Sequence, residues 1–133
     1  MRLPDWKARL TDYLTQCAGQ PYLLGRHDCA LFAAGAMEAV CGIDPAAPWR
    51  GRYITKAAGL RLVRRAGHAD HVAVFAAALE EIAPAFAAAG DIAVVESDGA
   101  QLLAVVQGEG VYVLQPSGLA IVGRAVMRRA FRL

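Results

Sequence analysis

The sequence lacks the features of a disulfide-rich or a membrane-spanning protein. Its three cysteines, Cys17, Cys29 and Cys41, are odd in number and form no CxxC pair, which argues against a disulfide framework. The best candidate for a membrane span, Val72–Leu79, stops at Glu80, far short of the roughly 18 apolar residues that a crossing helix needs. We therefore expect no disulfides and no membrane span.

Strong net charge and a leader segment are also lacking. The formal net charge is only +2, so nothing indicates bulk attraction to nucleic acid. The arginines form two clusters, which we interpret as solvated faces, with a partner surface as the alternative. The first residues have no apolar core of the length that a signal peptide requires. We therefore expect synthesis and folding in a cytoplasm.

Metal-ligand patterns are sparse as well. The conceivable zinc set joins His27 and Cys29 with His68 or His71, but these spacings match no closed zinc pattern. We therefore expect neither a metal nor a cofactor.

Apolar residues follow a helical period up to Gly90 and short strand-like runs after it. The pattern predicts helices over about 5–18, 29–41, after Thr55 to Gly67, and 70–82, then strands at 92–95, 102–107, 111–114, 119–122 and 126–133. The second helix is apolar almost all round, which predicts that it is buried. Helices followed by antiparallel strands indicate an α+β class, and 133 residues suffice for one core, so residues 1–133 should form a single domain.

The most informative segment surrounds Cys29. Asp28 is a predicted N-cap, so Cys29 falls in the first turn of the second helix. The unpaired amides and partial positive charge at a helix start stabilise a thiolate, which is the reactive form of cysteine. Cys29 is therefore a candidate nucleophile, with a small buried apolar residue as the alternative.

This segment resembles a known family. Asp28-Cys29-Ala30-Leu31-Phe32 is similar to the nucleophile motif of NlpC-type cell-wall peptidases, a bacterial branch of the papain fold. Gly90-Asp91-Ile92-Ala93-Val94-Val95 resembles the Gly-Asp-hydrophobic strand of that family, and the similarity covers roughly residues 22–114. The resemblance implies a papain-like fold in which a buried cysteine-bearing helix packs on a C-terminal antiparallel five-stranded sheet or small barrel.

The chain differs from the family at the position of the catalytic base. The strand after Gly90-Asp91 carries the catalytic histidine in the family, and Leu102 stands at that position here. Leucine accepts no proton, whereas general-base assistance contributes about 10²–10⁴ in rate. Of the other histidines, His27 precedes the cysteine helix, and we expect His68 and His71 to be capping or solvated residues. The enzyme assignment therefore stays open and leans towards an inactive relative.

Three aromatic side chains are candidate cleft residues. The resemblance implies that Tyr22, upstream of the cysteine, lines a substrate cleft, with packing between the first helix and the strands as the alternative. His27 adjoins the cysteine motif, and Trp49 either rims a cleft or covers the core.

The same resemblance also implies a function. Short alanine-rich sequences with a Gly25-x-x-Asp28-Cys29-x-x-Phe32 start and no later histidine resemble proteins of tailed phages and prophages. This implies a tail-tip structural or assembly protein that binds other phage tail proteins and ends in the virion. The alternatives are an active peptidoglycan endopeptidase or amidase that uses Cys29, and a module that binds cell-wall peptides.

Overall fold

Helices and strands divide the chain in the order that the hydrophobic periodicity predicts. The computed structural model describes residues 1–133 and contains four α-helices followed by six β-strands. The helices are α1 (Trp6–Ala18), α2 (Cys29–Cys41), α3 (Lys56–Arg65) and α4 (His71–Ala78). The strands are β1 (Glu80–Ile82), β2 (Ile92–Ser97), β3 (Ala100–Val106), β4 (Gly110–Gln115), β5 (Gly118–Gly123) and β6 (Met127–Arg132). The α+β class is confirmed.

The sheet differs from the expected five strands or small barrel. Its six strands pair antiparallel in the order β1-β6-β2-β3-β4-β5. Because β1 and β5 lie at opposite ends and do not pair with each other, the sheet is open. The predicted strand number and the barrel were therefore wrong.

The additional strand is β1, which the periodicity assigned to the fourth helix. That helix ends at Ala78, and Leu79 already has an extended backbone. Glu80 and Glu81 then pair with Arg132 and Phe131 of β6. Pairing with a sheet edge satisfies the backbone groups of this segment and overrides its local helix preference.

The central element is α2, which is buried along most of its length as its composition predicts. Nine of its 13 residues are buried, including Phe32 and Val40. Each large apolar side chain removed from water in this way stabilises the fold by about 1.5–3 kcal/mol. Helix α1 packs closely on α2 because residue 35 is a glycine, where a Cβ would lie 2.1 Å from the hydroxyl of Tyr13.

The two faces of the sheet belong to different apolar clusters. Leu103 and Val105 of β3 pack with α2, whereas Ala104 and Val106 pack in a second cluster on the other face. This alternation follows from the pleat of a strand and decides which residues of β3 can face Cys29.

None of the helices combines the length and the apolar character needed to cross a membrane.

Candidate functional site: the Cys29 cleft

A large cleft opens at the start of α2. Its volume is about 1010 Å³, and most of its lining residues are apolar. Residues of α2, α3, α4 and β3 and the segment before α3 contribute to it. Four of the five candidate site residues from the sequence line the cleft, namely Tyr22, Asp28, Cys29 and Trp49, whereas His27 does not. Other polar and aromatic lining residues include Tyr53, Lys56, His71 and Gln101.

Asp28 organises the wall beside Cys29. Its Oδ1 accepts a hydrogen bond from the Leu31 amide at 3.0 Å, as an N-cap residue does. Its Oδ2 accepts from the Gly25 amide at 3.0 Å and from the Tyr53 hydroxyl at 2.5 Å. The carboxylate, which is buried, thus joins α2 to the Gly25 turn and to the segment before α3.

Gly25 permits this arrangement. Its φ of +82° is unfavourable for other residues, and a Cβ there would lie 1.9 Å from the Tyr53 carbonyl oxygen. The Gly25 carbonyl in turn accepts from the Gly51 amide at 2.7 Å. The turn before the cysteine is therefore held against residues 51–53.

Cys29 is the first residue of α2 and is half-buried. Burial raises the pKa of its thiol to about 11, and the Asp28 carboxylate also raises it. The Leu103 backbone, Lys56 and the Ala30 backbone lower the pKa but do not outweigh burial. At pH 7 about one thiol in ten thousand would be ionised at such a pKa. The expected stabilisation of the thiolate at the helix start is thus outweighed by burial.

The three histidines occupy different places, and none hydrogen-bonds the Cys29 sulfur. His27 is buried outside the cleft lining, edge-on to the Phe32 ring at 6.5 Å between centroids. His68 lies edge-on to Trp49 at 6.1 Å. His71 lines the cleft, and its Nε2 lies 2.9 Å from the Gln101 carbonyl oxygen. The cap of α4 is Asp70, which accepts from the Ala73 amide.

A gapless alignment with the histidine-bearing strand of the family places Leu102 at the position of the catalytic histidine. In the structure, the side chain of Leu102 lies on the face of β3 that is turned away from α2. The side chain of Leu102 packs against the cluster on the far face, although the residue borders the cleft. Leu103 packs on the α2 side, and Gln101, two residues earlier, shares its face. Gln101 therefore shares with Leu103 and Val105 the face of β3 that is turned towards the cysteine helix.

Sequence reasoning missed several residues of the cleft. Tyr53 lies in a loop rich in glycine and proline, and no local pattern indicates that its hydroxyl reaches Asp28. His71 was assigned a capping or solvated role because it stands at the start of a helix. An alternating strand pattern could have identified Gln101, since residue parity alone decides which face of the strand a side chain lies on.

No group of three or more His, Cys, Asp or Glu side chains is arranged to hold a metal ion.

Comparison with known proteins identifies one family. A family model described as "Domain of unknown function (DUF6950)" matches residues 1–133. No curated protein matches the chain.

Proposed function

The chain belongs to the family described as a domain of unknown function, DUF6950, and we propose that it is a non-hydrolytic binding protein that serves in phage or prophage tail assembly. The cleft of a cysteine peptidase-like domain holds a partner in this proposal instead of cleaving a substrate. The similarity of Asp28-Cys29-Ala30-Leu31-Phe32 to the NlpC motif and the tail-associated resemblance support it. On the same basis we propose other tail proteins as partners, the bacterial cytoplasm as the place of synthesis, and the virion tail as the final location.

The environment of the Cys29 sulfur carries the non-hydrolytic part of the proposal. A cysteine hydrolase needs a thiolate and an imidazole that takes and returns a proton. Burial raises the pKa of the Cys29 thiol to about 11, and no imidazole is hydrogen-bonded to the sulfur. The Leu103 backbone lowers the thiol pKa, as an N–H donor to the sulfur would.

The second candidate is a peptidoglycan endopeptidase or amidase in which His71 supplies the base. Because the Gln101 carbonyl only accepts, the Nε2 atom of His71 carries the proton and Nδ1 remains free as an acceptor. A backbone carbonyl therefore orients the ring, as the third group of a triad orients its histidine. His71 and Cys29 line the same cleft, which favours this candidate over one based on His27 or His68.

Digestion of purified peptidoglycan separates the two candidates. We expect native protein, Cys29→Ala and His71→Ala to release no soluble fragments, as measured by liquid chromatography and mass spectrometry. Release by native protein that disappears in Cys29→Ala would contradict the proposal. If native protein does release fragments, a rate of release that is about 10²–10⁴ times lower in His71→Ala would identify that imidazole as the base.

The tail assignment has its own test. Virions purified from a lysogen that encodes this chain should contain it in the tail fraction by mass spectrometry. Its presence only in the lysate, with virions of normal composition, would contradict a place in the virion.

A further inference from the structure

Strand β5 forms one edge of the sheet, and it has a partner on one side only. All six of its residues pair with β4, and no strand lies on its other side. None of the six is buried, and Ile121 is 57% exposed. The strand contains no charged residue, no proline and no bulge, which are the features that commonly keep a sheet edge from pairing. The β5 edge can therefore accept a further strand.

The opposite edge of the sheet, β1, is protected against pairing. It is only three residues long, and two of these are Glu80 and Glu81. Each glutamate forms an ion pair with an arginine of β6, namely Arg132 for Glu80 and Arg129 for Glu81. A short charged strand resists pairing with another chain, because the added strand gains few hydrogen bonds and meets charged side chains. The two edges of this sheet thus differ in length and in charge, and β5 is the open one.

The neighbouring strands show which backbone groups of β5 face outwards. The amide and carbonyl of Val106 in β3 are bonded on the β2 side, so those of Val111, its partner in β4, point towards β5. Val122 lies opposite Val111 and returns these bonds. Since the bonding direction alternates along a strand, Leu119 and Ile121 direct their amides and carbonyls to the free side. These amides and carbonyls have no partner within the chain.

The side of β5 that faces α1 borders an uncharged groove. Leu119 packs with the cluster on the α2 side of the sheet, and Ile121, two residues later, shares its face. The groove has a volume of about 300 Å³ and lies between α1 and the hairpin of β4 and β5. Its lining residues are all uncharged, namely Thr11, Leu14, Thr15, Ala18, Tyr112 and Leu119. An apolar side chain placed opposite Leu119 by strand pairing would therefore lie at the mouth of this groove.

We infer that β5 pairs antiparallel with β5 of a second copy of this chain, across a two-fold axis at Ala120. In this register Leu119 of each copy lies opposite Ile121 of the other, and each of these two pairs exchanges two hydrogen bonds. The residues with free backbone groups thus satisfy one another, and Ile121 of each copy meets Leu119 beside the groove of the other. A two-fold interface sets a surface against itself, which an uncharged strand and groove allow without repulsion. The β5 residues lie outside the lining of the Cys29 cleft, so the inference does not depend on the proposed function.

Sedimentation velocity at increasing protein concentration tests the inference. A short ladder is a small interface, so we expect a reversible dimer with a dissociation constant of about 1 μM to 1 mM. Ala120→Lys should weaken the dimer about tenfold or more, because the two lysines then lie directly opposite each other. Ala77→Lys is the matched control, since it makes the same change at an exposed alanine of α4 and should alter the dissociation constant by about twofold or less. An equimolar mixture of Ala120→Lys and Ala120→Glu should associate at least as well as native protein, since unlike charges then meet.

Two further measurements locate the contact. Amide exchange measured by nuclear magnetic resonance should slow at Leu119 and Ile121 as the protein concentration rises, whereas the Ala120 amide, which already bonds β4, should change little. Ala120→Cys should form an intermolecular disulfide between the introduced cysteines, because their Cα atoms would lie about 4.5 Å apart. Ile54→Cys, at an exposed site before α3, is the control and should not link. The inference is overturned if native protein stays monomeric at about 1 mM, if Ala120→Lys dimerises as well as Ala77→Lys, or if Ala120→Cys links no faster than Ile54→Cys.

Discussion

At the residue scale, two side chains of one motif, Cys29 and His27, lie in different parts of the structure. Cys29 lies in the cleft, whereas His27 turns away into the protein beside Phe32. The Nε2 atom of His27 is buried and has no hydrogen-bond partner. Burial lowers the pKa of His27 below its ordinary value of 6.5, and Arg50 lowers it further, although the Cys17 backbone and Asp28 raise it. A charged His27 is therefore disfavoured in the folded state.

This predicts acid sensitivity centred on His27. Below pH 6.5 the unfolded chain binds a proton that the folded chain resists, so the free energy of unfolding should fall as pH drops towards the lowered pKa. The slope contributed by one histidine cannot exceed about 1.4 kcal/mol per pH unit. Urea unfolding from pH 7.5 to 4.5 should show this slope in native protein and a reduced slope in His27→Gln. His68→Gln, at the partly exposed ring beside Trp49, is the control; an equal reduction in both variants would contradict the assignment.

At the element scale, the start of α2 depends on a loop distant in sequence. The Asp28 cap, the Gly25 turn and the Tyr53 hydroxyl form one buried set of hydrogen bonds. Burial, followed by the hydrogen bond to Asp28, raises the pKa of Tyr53, so its hydroxyl stays a donor. The same loop supplies one wall of the cleft, so the shape of the candidate site and the stability of the helix start depend on the same contacts.

Removal of this hydroxyl should therefore destabilise the fold. We expect Tyr53→Phe to lower the free energy of unfolding by about 1.5–3 kcal/mol, because a hydrogen bond to a charged group is lost in a buried place. Tyr22→Phe is the matched control; this tyrosine lines the same cleft without a hydrogen bond to Asp28, and we expect a loss of about 0.5 kcal/mol or less. Chemical denaturation measures both. Similar losses in the two variants would show that the Asp28–Tyr53 bond does not stabilise the helix start.

At the scale of the whole molecule, Asp91 accepts hydrogen bonds from Arg2 and Leu133 and so joins both of these segments to the start of β2. Its Oδ1 accepts from Arg2 at 2.8 Å and from the Leu133 amide at 3.1 Å, and its Oδ2 accepts from the Ala88 amide at 2.8 Å. Arg2 also donates to the Leu133 carbonyl and lies over the Trp6 ring at 4.1 Å. One nearly buried carboxylate thus links the segment before α1, the start of β2 and the C-terminus.

Substitution of Arg2 should therefore destabilise the fold and loosen the contacts of Leu133 as well as those of the N-terminal segment. We expect Arg2→Ala to lower the free energy of unfolding by about 3 kcal/mol, since a buried carboxylate loses its ion partner. Arg128→Ala breaks an exposed pair with Glu96 at 3.9 Å and should cost about 1 kcal/mol or less. Urea unfolding checks the energies, and hydrogen exchange at Leu133 checks the link to the C-terminus. If Leu133 exchanges equally fast in native protein and Arg2→Ala, the ends are not coupled through Asp91.

The sequence by itself determined the elements whose signals are local. Helix α2 spans Cys29–Cys41 as predicted, because Asp28 caps one end and Gly42, with a φ of 79°, ends the other. Strands β2 to β6 lie within one or two residues of their predicted positions, since turn residues separate short apolar runs. These features depend on side chains within a few residues of the backbone they direct.

Only the tertiary structure decided the features that depend on distant pairing. Glu80–Ile82 became a strand because β6 offered it an edge, and Leu102 turned away from Cys29 because the pleat and the register with β2 assign its face. His71 reached Gln101, and Tyr53 reached Asp28, across 30 and 25 residues of sequence. Such contacts depend on how the elements pack, and no local pattern of residues specifies that packing.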